Sequence, residues 1–219
     1  MPALIAVTPS VTIRQVSVSS MDNNVYLLTS TETGNQVLVD AADDMVKIVD
    51  LLRAAVRDGH QVALRAIITT HAHGDHVRAL RALSGVSGAT VLAGQADAAE
   101  IENTTGVKVR RSLQHGDTVK IPGLSFDVIA LRGHTPGSIA LAFAEPGQPV
   151  HLFTGDSLFP GGVGNTGRDP VRFNQLMTDV TERIFNVFDD SAIVHPGHGA
   201  PTTLGAERPY LSEWWERGW

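Results

Sequence analysis

No cysteine occurs among the 219 residues. A disulfide framework is therefore excluded, and any bound metal must take nitrogen or oxygen ligands. No run approaches the roughly 18 apolar residues of a membrane span, so no membrane partner is expected. The opening residues, MPALIAVTPSV, lack the basic and long apolar regions of a signal peptide. The expected location is the cytoplasm. Positive charge is scarce: 17 Lys and Arg against 23 Asp and Glu leave a net charge of −6. Phosphate backbones are held by a basic stripe, so no nucleic acid partner is expected. Linkers, repeats and low-complexity tracts are also missing. With 42% hydrophobic residues the chain can build a core, and it reads as one domain over 1–219.

Apolar alternation predicts strands at 11–18, 25–29, 36–40, 64–69, 90–93, 107–111, 118–121, 125–130, 139–143, 150–154 and 192–194. Helical spacing predicts helices over 45–57, 77–83, 96–102, 171–188 and 206–217. In the first, Met45, Ile48, Val49, Leu52 and Val56 form the inner face, and Asp58-Gly59 ends it. Ser84-Gly85 ends the second. In the fourth, Phe173, Leu176, Met177, Val180, Ile184, Val187 and Phe188 form the inner stripe. Residues 160–170, rich in glycine, read as a loop. Strands and helices interleave without regular alternation. That pattern points to layered sheets with helices outside, not to a Rossmann or barrel plan.

Residues 70–76 read THAHGDH and place His71, His73, Asp75 and His76 directly after the strand at 64–69. Imidazole and carboxylate are the ligands of divalent metals, and residues two apart past a strand end can project to one side. Asp75 and His76 sit where the chain turns, so one short loop could serve two ions. The competing reading is a solvated loop with Asp75 capping the next helix. Three later ligand-type residues follow strand ends in glycine- or proline-containing turns: His134 in GHTPG, Asp156 in TGD and His198 in HPGHG. Five His and two Asp can hold two ions if one carboxylate bridges.

In these residues, over roughly 24–200, the chain resembles the metallo-β-lactamase-fold hydrolases. The resemblance implies an α/β (α+β) fold, a four-layer αββα sandwich of two mixed β-sheets flanked by helices, with two divalent metals at one end of the sheets. It implies that His71, His73 and His134 hold one metal, that Asp75, His76 and His198 hold the other, and that Asp156 bridges. Asp40, in Leu-Val-Asp, matches a family position that fixes the motif loop or a ligand imidazole. One departure is Ala79, where the family often has glycine.

Two metals about 3.5–4 Å apart can activate a shared water near neutral pH and polarise an electrophile. The expected nucleophile is a metal-bridging hydroxide oriented by Asp75, the catalytic residue. No strong general acid for a leaving group is visible. Thiolates leave without one, because thiols ionise near about 8.5. The expectation is a dinuclear hydrolase of acyl thioesters, resembling the glyoxalase II-like branch, with a small-molecule substrate. Glyoxalase II proper adds a helical C-terminal region that helps hold glutathione; here 21 residues follow His198, so the resemblance does not extend to the thiol half. Zn is the first choice of metal, with Fe and Mn as alternatives. Rival readings are a phosphodiesterase or ribonuclease, another ester or lactone hydrolase, a mononuclear-iron persulfide dioxygenase, and a non-enzymatic metal-binding protein.

Phe159, Asn165 and Arg168, in the segment after Asp156, are the candidate substrate-binding residues. Arg168 or Arg172 could receive a substrate carboxylate, against a plain role as solvated loop charges. His60, His115, His151 and His195 are read as structural. The tail holds all three tryptophans. Leu211, Trp215 and Trp219 are expected on one side, packed on the domain, with a homodimer contact as the alternative.

Overall fold

A computed structural model describes residues 2–56 and 62–218. One sheet contains, in chain order, β1 (Ala3–Val7), β2 (Val11–Val18), β3 (Asn23–Ser30), β4 (Asn35–Val39), β5 (Ala63–Thr69), β6 (Thr90–Gly94) and β7 (Arg111–Leu113). Pairing is antiparallel through β4 and parallel from β4 to β7. The second sheet is built from β8 (Thr118–Ile121), β9 (Leu124–Ala130), β10 (Ile139–Phe143), β11 (His151–Gly155), β14 (Ile193–Pro196) and β15 (Thr202–Thr203), in the order β15-β14-β11-β10-β9-β8. Only β11 and β14 run parallel in it. A short hairpin, β12 (Leu158–Phe159) and β13 (Gly162–Val163), stands apart.

Strand periodicity distributes the apolar residues among three cores. In β5, Ala66 and Ile68 face the second sheet, joining Tyr26, Leu28, Phe126, Leu141 and Phe153. Ile67 points the other way, onto α1 (Met45–Val56), α2 (Leu80–Ser87) and α3 (Ala98–Thr105), with Ile48, Leu51, Leu80 and Ile101. A strand buried on both faces must be continuously apolar, which is why 66–68 carries no polar residue. Outside the second sheet lie α4 (Pro170–Val180), α5 (Leu204–Glu207) and α6 (Leu211–Arg217), with Phe173, Leu176, Met177 and Trp214 packed on Leu152 and Val194. The layers are helices, sheet, sheet, helices: the expected αββα sandwich. Among the described residues no helix is long and apolar enough to cross a membrane.

Several expectations are corrected. Residues 35–113 do alternate strand and helix, β4-α1-β5-α2-β6-α3-β7; the antiparallel runs on either side hide this from a whole-chain reading. β1 was not expected. The helix placed at 77–83 is a 3₁₀ turn at Gly74–His76 followed by α2, which runs through Gly85 and stops at Gly88, φ +66°. Glycine inside a helix costs only about 1 kcal/mol, whereas a left-handed cap favours it strongly. The strand at 107–111 shrinks to β7, because Glu102 accepts from the Val109 N–H instead. The segment 160–170 is not all loop, since β13 lies in it.

α1 buries Ile48, Leu51 and Ala55, leaving Val56 exposed. α4 passes into a π-helical turn, Thr181–Phe185, which leaves Val187 exposed. Pro209, with no N–H to donate, divides the last helix into α5, a 3₁₀ turn at Arg208–Tyr210 and α6. The break rotates the tail: Trp214 is buried at 2% exposure, while Trp215 is 40% exposed. Arg57, Asp58-Gly59, His60 and Trp219 lie outside the described residues.

Candidate metal centre

The loops that carry the ligand-type residues all leave the sandwich at one end: after β5, between β9 and β10, after β11 and after β14. There the structure brings together all seven. One group, His71, His73, His134 and Asp156, has its donor atoms within 4.8 Å of one another, as does a second, Asp75, His76 and His198. Asp156 stands between them. Its Oδ2 lies 3.8 Å from His71 Nε2, 3.6 Å from His134 Nε2 and 3.5 Å from His198 Nε2, and its Oδ1 lies 3.3 Å from His76 Nε2. Asp75 Oδ2 is 3.3 Å from His198 Nε2 and 3.5 Å from His76 Nε2.

The far nitrogens of four imidazoles are tied off. The Nδ1–H of His134 donates to the Asn165 carbonyl at 2.8 Å, and that of His198 to the Met21 carbonyl at 2.7 Å. His76 Nδ1–H donates to Asp40 Oδ2 at 2.9 Å. The Thr70 hydroxyl gives its one proton to the same Asp40 oxygen, 2.7 Å, so toward His71 Nδ1, 3.0 Å away, it must accept. A neutral imidazole protonated at Nδ1 has a bare lone pair at Nε2. The Nε2 atoms of all four face Asp156, and those of His76 and His198 also lie 3.1 Å from each other. His71 Nε2 and His134 Nε2 are buried and have no hydrogen-bond partner. Leaving such groups unpaired costs about 1–3 kcal/mol each, and a divalent cation is what would satisfy them. The donor set therefore fits one or two metal ions.

The electrostatics divide the set: His71 and His134 are held toward the neutral form, while Asp156 draws His76 and His198 toward the protonated one. Burial holds His71 well below its ordinary value and lowers His134, keeping both neutral. Burial works against charge on His76 as well, but hydrogen bonds to Asp156 and Asp40 outweigh it and raise the imidazole to about 10. Burial would raise the Asp156 carboxyl; bonds from His198 and His76 instead hold it far below the carboxylate range. Asp75 is likewise lowered, burial being overcome by the Asn23 hydrogen bond and His76. Three carboxylates in a half-buried pit attract positive charge.

Asp40, expected to fix the motif loop or a ligand imidazole, accepts from the Thr70 N–H at 2.7 Å besides His76 and the Thr70 hydroxyl. Its φ of +57° is unusual for a residue with a side chain and aims the carboxylate under the loop. Three other supports were not expected. Asp97, buried, accepts from the Ala72 N–H (2.9 Å), the Thr135 hydroxyl (2.6 Å) and the Gly137 N–H (2.6 Å), binding the His71 loop to the His134 loop. Asn23 donates to Asp75 Oδ2 at 2.8 Å. Arg172 donates to the Gly133 and His134 carbonyls, so it braces a ligand-type residue and is not a plain solvated charge. Gly197 is required by proximity: a Cβ there would lie 2.2 Å from Asp156 Oδ1.

Phe159 borders a cavity of about 470 Å³ together with Asp156, Pro160, His198, Gly199 and Ala200. Asn165 contributes its carbonyl to His134, while its side chain accepts from the Gly167 N–H. Arg168 is exposed, with φ +62°. His115 is also exposed, and His151 and His195 are buried and bonded to each other at 2.8 Å, away from the centre.

Known proteins resemble this chain in sequence and fold. A sequence profile of the metallo-beta-lactamase superfamily matches residues 21–199. Hydroxyacylglutathione hydrolase GloC of Haemophilus influenzae is 28% identical over 214 residues, spanning 90% of this chain and 96% of the relative. The crystal structure of TTHA1623 in a di-iron-bound form is 31% identical, with TM-score 0.70, and the match covers 89% of this chain and 96% of that one. ETHE1 from Myxococcus xanthus is 27% identical with TM-score 0.76, covering 92% and 84%. On the match over 21–199, the chain belongs to the metallo-beta-lactamase superfamily.

Proposed function

We propose that this protein is a dinuclear, divalent-metal-dependent hydrolase of acyl thioesters, working as one domain. The observation that carries the reading is the convergence of imidazole nitrogens, two of them buried and unpartnered, and carboxylates from four separate loops on one pit. His71, His73 and His134 would hold one ion, Asp75, His76 and His198 the other, and Asp156 both. Nitrogen and oxygen donors suit Zn first, and Fe or Mn as well. When bound, such ions supply a water activated near neutral pH and polarise the substrate carbonyl.

The chain's own groups do the rest. Asp75, kept ionised and steadied at one oxygen by Asn23, would accept a hydrogen bond from the attacking water and orient it. The cavity beside Asp156 and His198 has Phe159, Pro160 and Ala200 for walls and receives the substrate. None of these walls can donate a proton to a leaving group. A thiolate needs no proton to depart, since thiols ionise near about 8.5, whereas an amine does. That chemistry favours thioesters over amides, and the hydroxyacylglutathione hydrolase relative supports the same class.

The test combines metal analysis with a substrate screen. Two equivalents of Zn, Fe or Mn with thiol release from acyl thioesters is the expected result. One iron per chain, with oxygen consumed on a persulfide and no thioester turnover, would replace the reading with a dioxygenase. Turnover confined to bis-p-nitrophenyl phosphate would replace it with a phosphodiesterase. Phe159→Ala should raise KM for the thioester about tenfold and leave metal content unchanged, because it removes binding without a ligand.

A further inference from the structure

A second cavity of about 470 Å³ borders the turn at 136–139 but touches none of the seven residues of the metal centre. Two guanidiniums, Arg132 and Arg183, stand in its wall. One carboxylate holds both. Asp179 is 1% exposed; it accepts from Arg132 Nε at 2.9 Å and Nη2 at 2.8 Å, and lies 3.3 Å from Arg183 Nη2. Arg183 Nη1 donates to the Ala130 carbonyl at 2.7 Å. One negative charge thus anchors two positive ones, leaving a local excess of +1 in a chain whose net charge is −6.

These contacts use two of the five N–H donors on each guanidinium. The remaining donors belong to charges that do not titrate away and are already held in position, so little conformational freedom is lost when an anion arrives. Arg183 lies on the π-helical turn at Thr181–Phe185. Such turns are rare and recur at functional sites. The rim carries the amides of Gln95 and Gln114 and the imidazole of His115, while Ala96, Ala130 and Pro136 supply accessible apolar surface.

We propose that this cavity is a binding site for a small organic anion, a carboxylate or phosphate head on an apolar body of a few carbons. The head meets Arg132 and Arg183, and the body covers Ala130 and Pro136. The site abuts the brace of the metal centre: Gly137 is in its wall and donates to Asp97, and Gln95 lies two residues before that carboxylate.

The test titrates hexanoate, and separately hexyl phosphate, into the metal-loaded protein, followed by calorimetry and by amide shifts. Saturable binding of either, with shifts at Gln95, Gly137 and Arg183, is expected; the tighter ligand identifies the head group. Arg132→Gln and Arg183→Gln should each weaken binding about tenfold or more, as expected for loss of a charge-assisted contact. Asp156→Ala, which empties the metal centre, should leave it unchanged. Binding that vanishes in Asp156→Ala and survives Arg183→Gln would put the anion on the metals and overturn the proposal, as would no saturable shift up to about 10 mM, roughly the weakest affinity worth calling a site. If the arginine variants fail to fold, Ala96→Trp fills the cavity from its exposed rim without touching Asp179. Loss of binding supports the site, and undiminished binding overturns it.

Discussion

His71, His76, His134 and His198 turn Nδ1 outward, to Thr70, Asp40, Asn165 and Met21, and point Nε2 at Asp156. His151 and His195 face each other instead. Their rings stack at 11° with Nδ1 of one 2.8 Å from Nε2 of the other, and His195 also stacks on Phe153. Burial, then the neighbouring His151, pushes His195 down to about 3, and burial lowers His151 too. Apart from the half-buried His198, both sets are buried imidazoles. What separates them is the partner on the far nitrogen and the presence of carboxylates on the near one. An imidazole backed by an acceptor and facing a carboxylate is prepared for a cation; one backed by another imidazole and an aromatic ring is packing.

The comparison can be broken most sharply at Asp156, the group that faces four of the five histidines. Asp156→Ala should remove most of the bound metal and lower kcat/KM by about 10³-fold or more, as loss of a shared ligand would. Elemental analysis beside a rate assay checks this, and full activity with one ion lost would remove the bridging role. Next come the braces. Asp40→Asn and Asp97→Asn keep size but lose an acceptor or its charge, and each should weaken metal affinity about 10- to 100-fold. A titration with a competing chelator measures it. Unchanged affinity in both would mean that the loops hold their shape without them.

The smallest effect on the centre belongs to the other pair. His195→Phe keeps a stacking ring and should leave metal content and kcat/KM within about twofold, since no ligand contact is lost. Its effect is on stability against pH. In the wild type the unfolded His195 takes up a proton near pH 6.5 while the folded one, down at about 3, does not. Protons therefore favour the unfolded chain, and stability falls as pH drops below 6.5 toward 3, by about 2 kcal/mol at pH 5 from this group. Urea melts at pH 7 and pH 5 should show that loss in the wild type and a smaller one in His195→Phe. Equal losses would mean that His195 is protonated in the folded protein.

Much of the centre was legible because the ligand-type side chains sit just past strand ends, and the strands are marked by apolar runs. Asp40 could be picked out for the same reason. Asp97 could not. The helix expected over 96–102 puts it in a first turn, whereas it precedes α3 and its side chain makes no cap bond. Its use as a brace depends on the close approach of two glycines, since a Cβ on Gly94 would lie 1.9 Å from the Gly137 carbonyl oxygen. Two glycines forty-three residues apart were the available signal, and spacing alone does not pair them. The helix ends were misplaced where a local rule had a rival: Gly85 was read as a stop, though Gly88 had the left-handed geometry.

By itself the sequence determined which chemical groups are available, five imidazoles and two carboxylates without a thiol, and which of them leave strand ends. These are properties of single side chains and short windows. Only the tertiary structure decided which nitrogen of each imidazole faces the pit, that Asp156 reaches both groups, and that two arginines share one aspartate beside a second cavity. Those depend on partners as remote as Met21 and His198, 177 positions apart. Orientation is set by whichever acceptor the packed layers bring to the far nitrogen, and no local pattern carries that information.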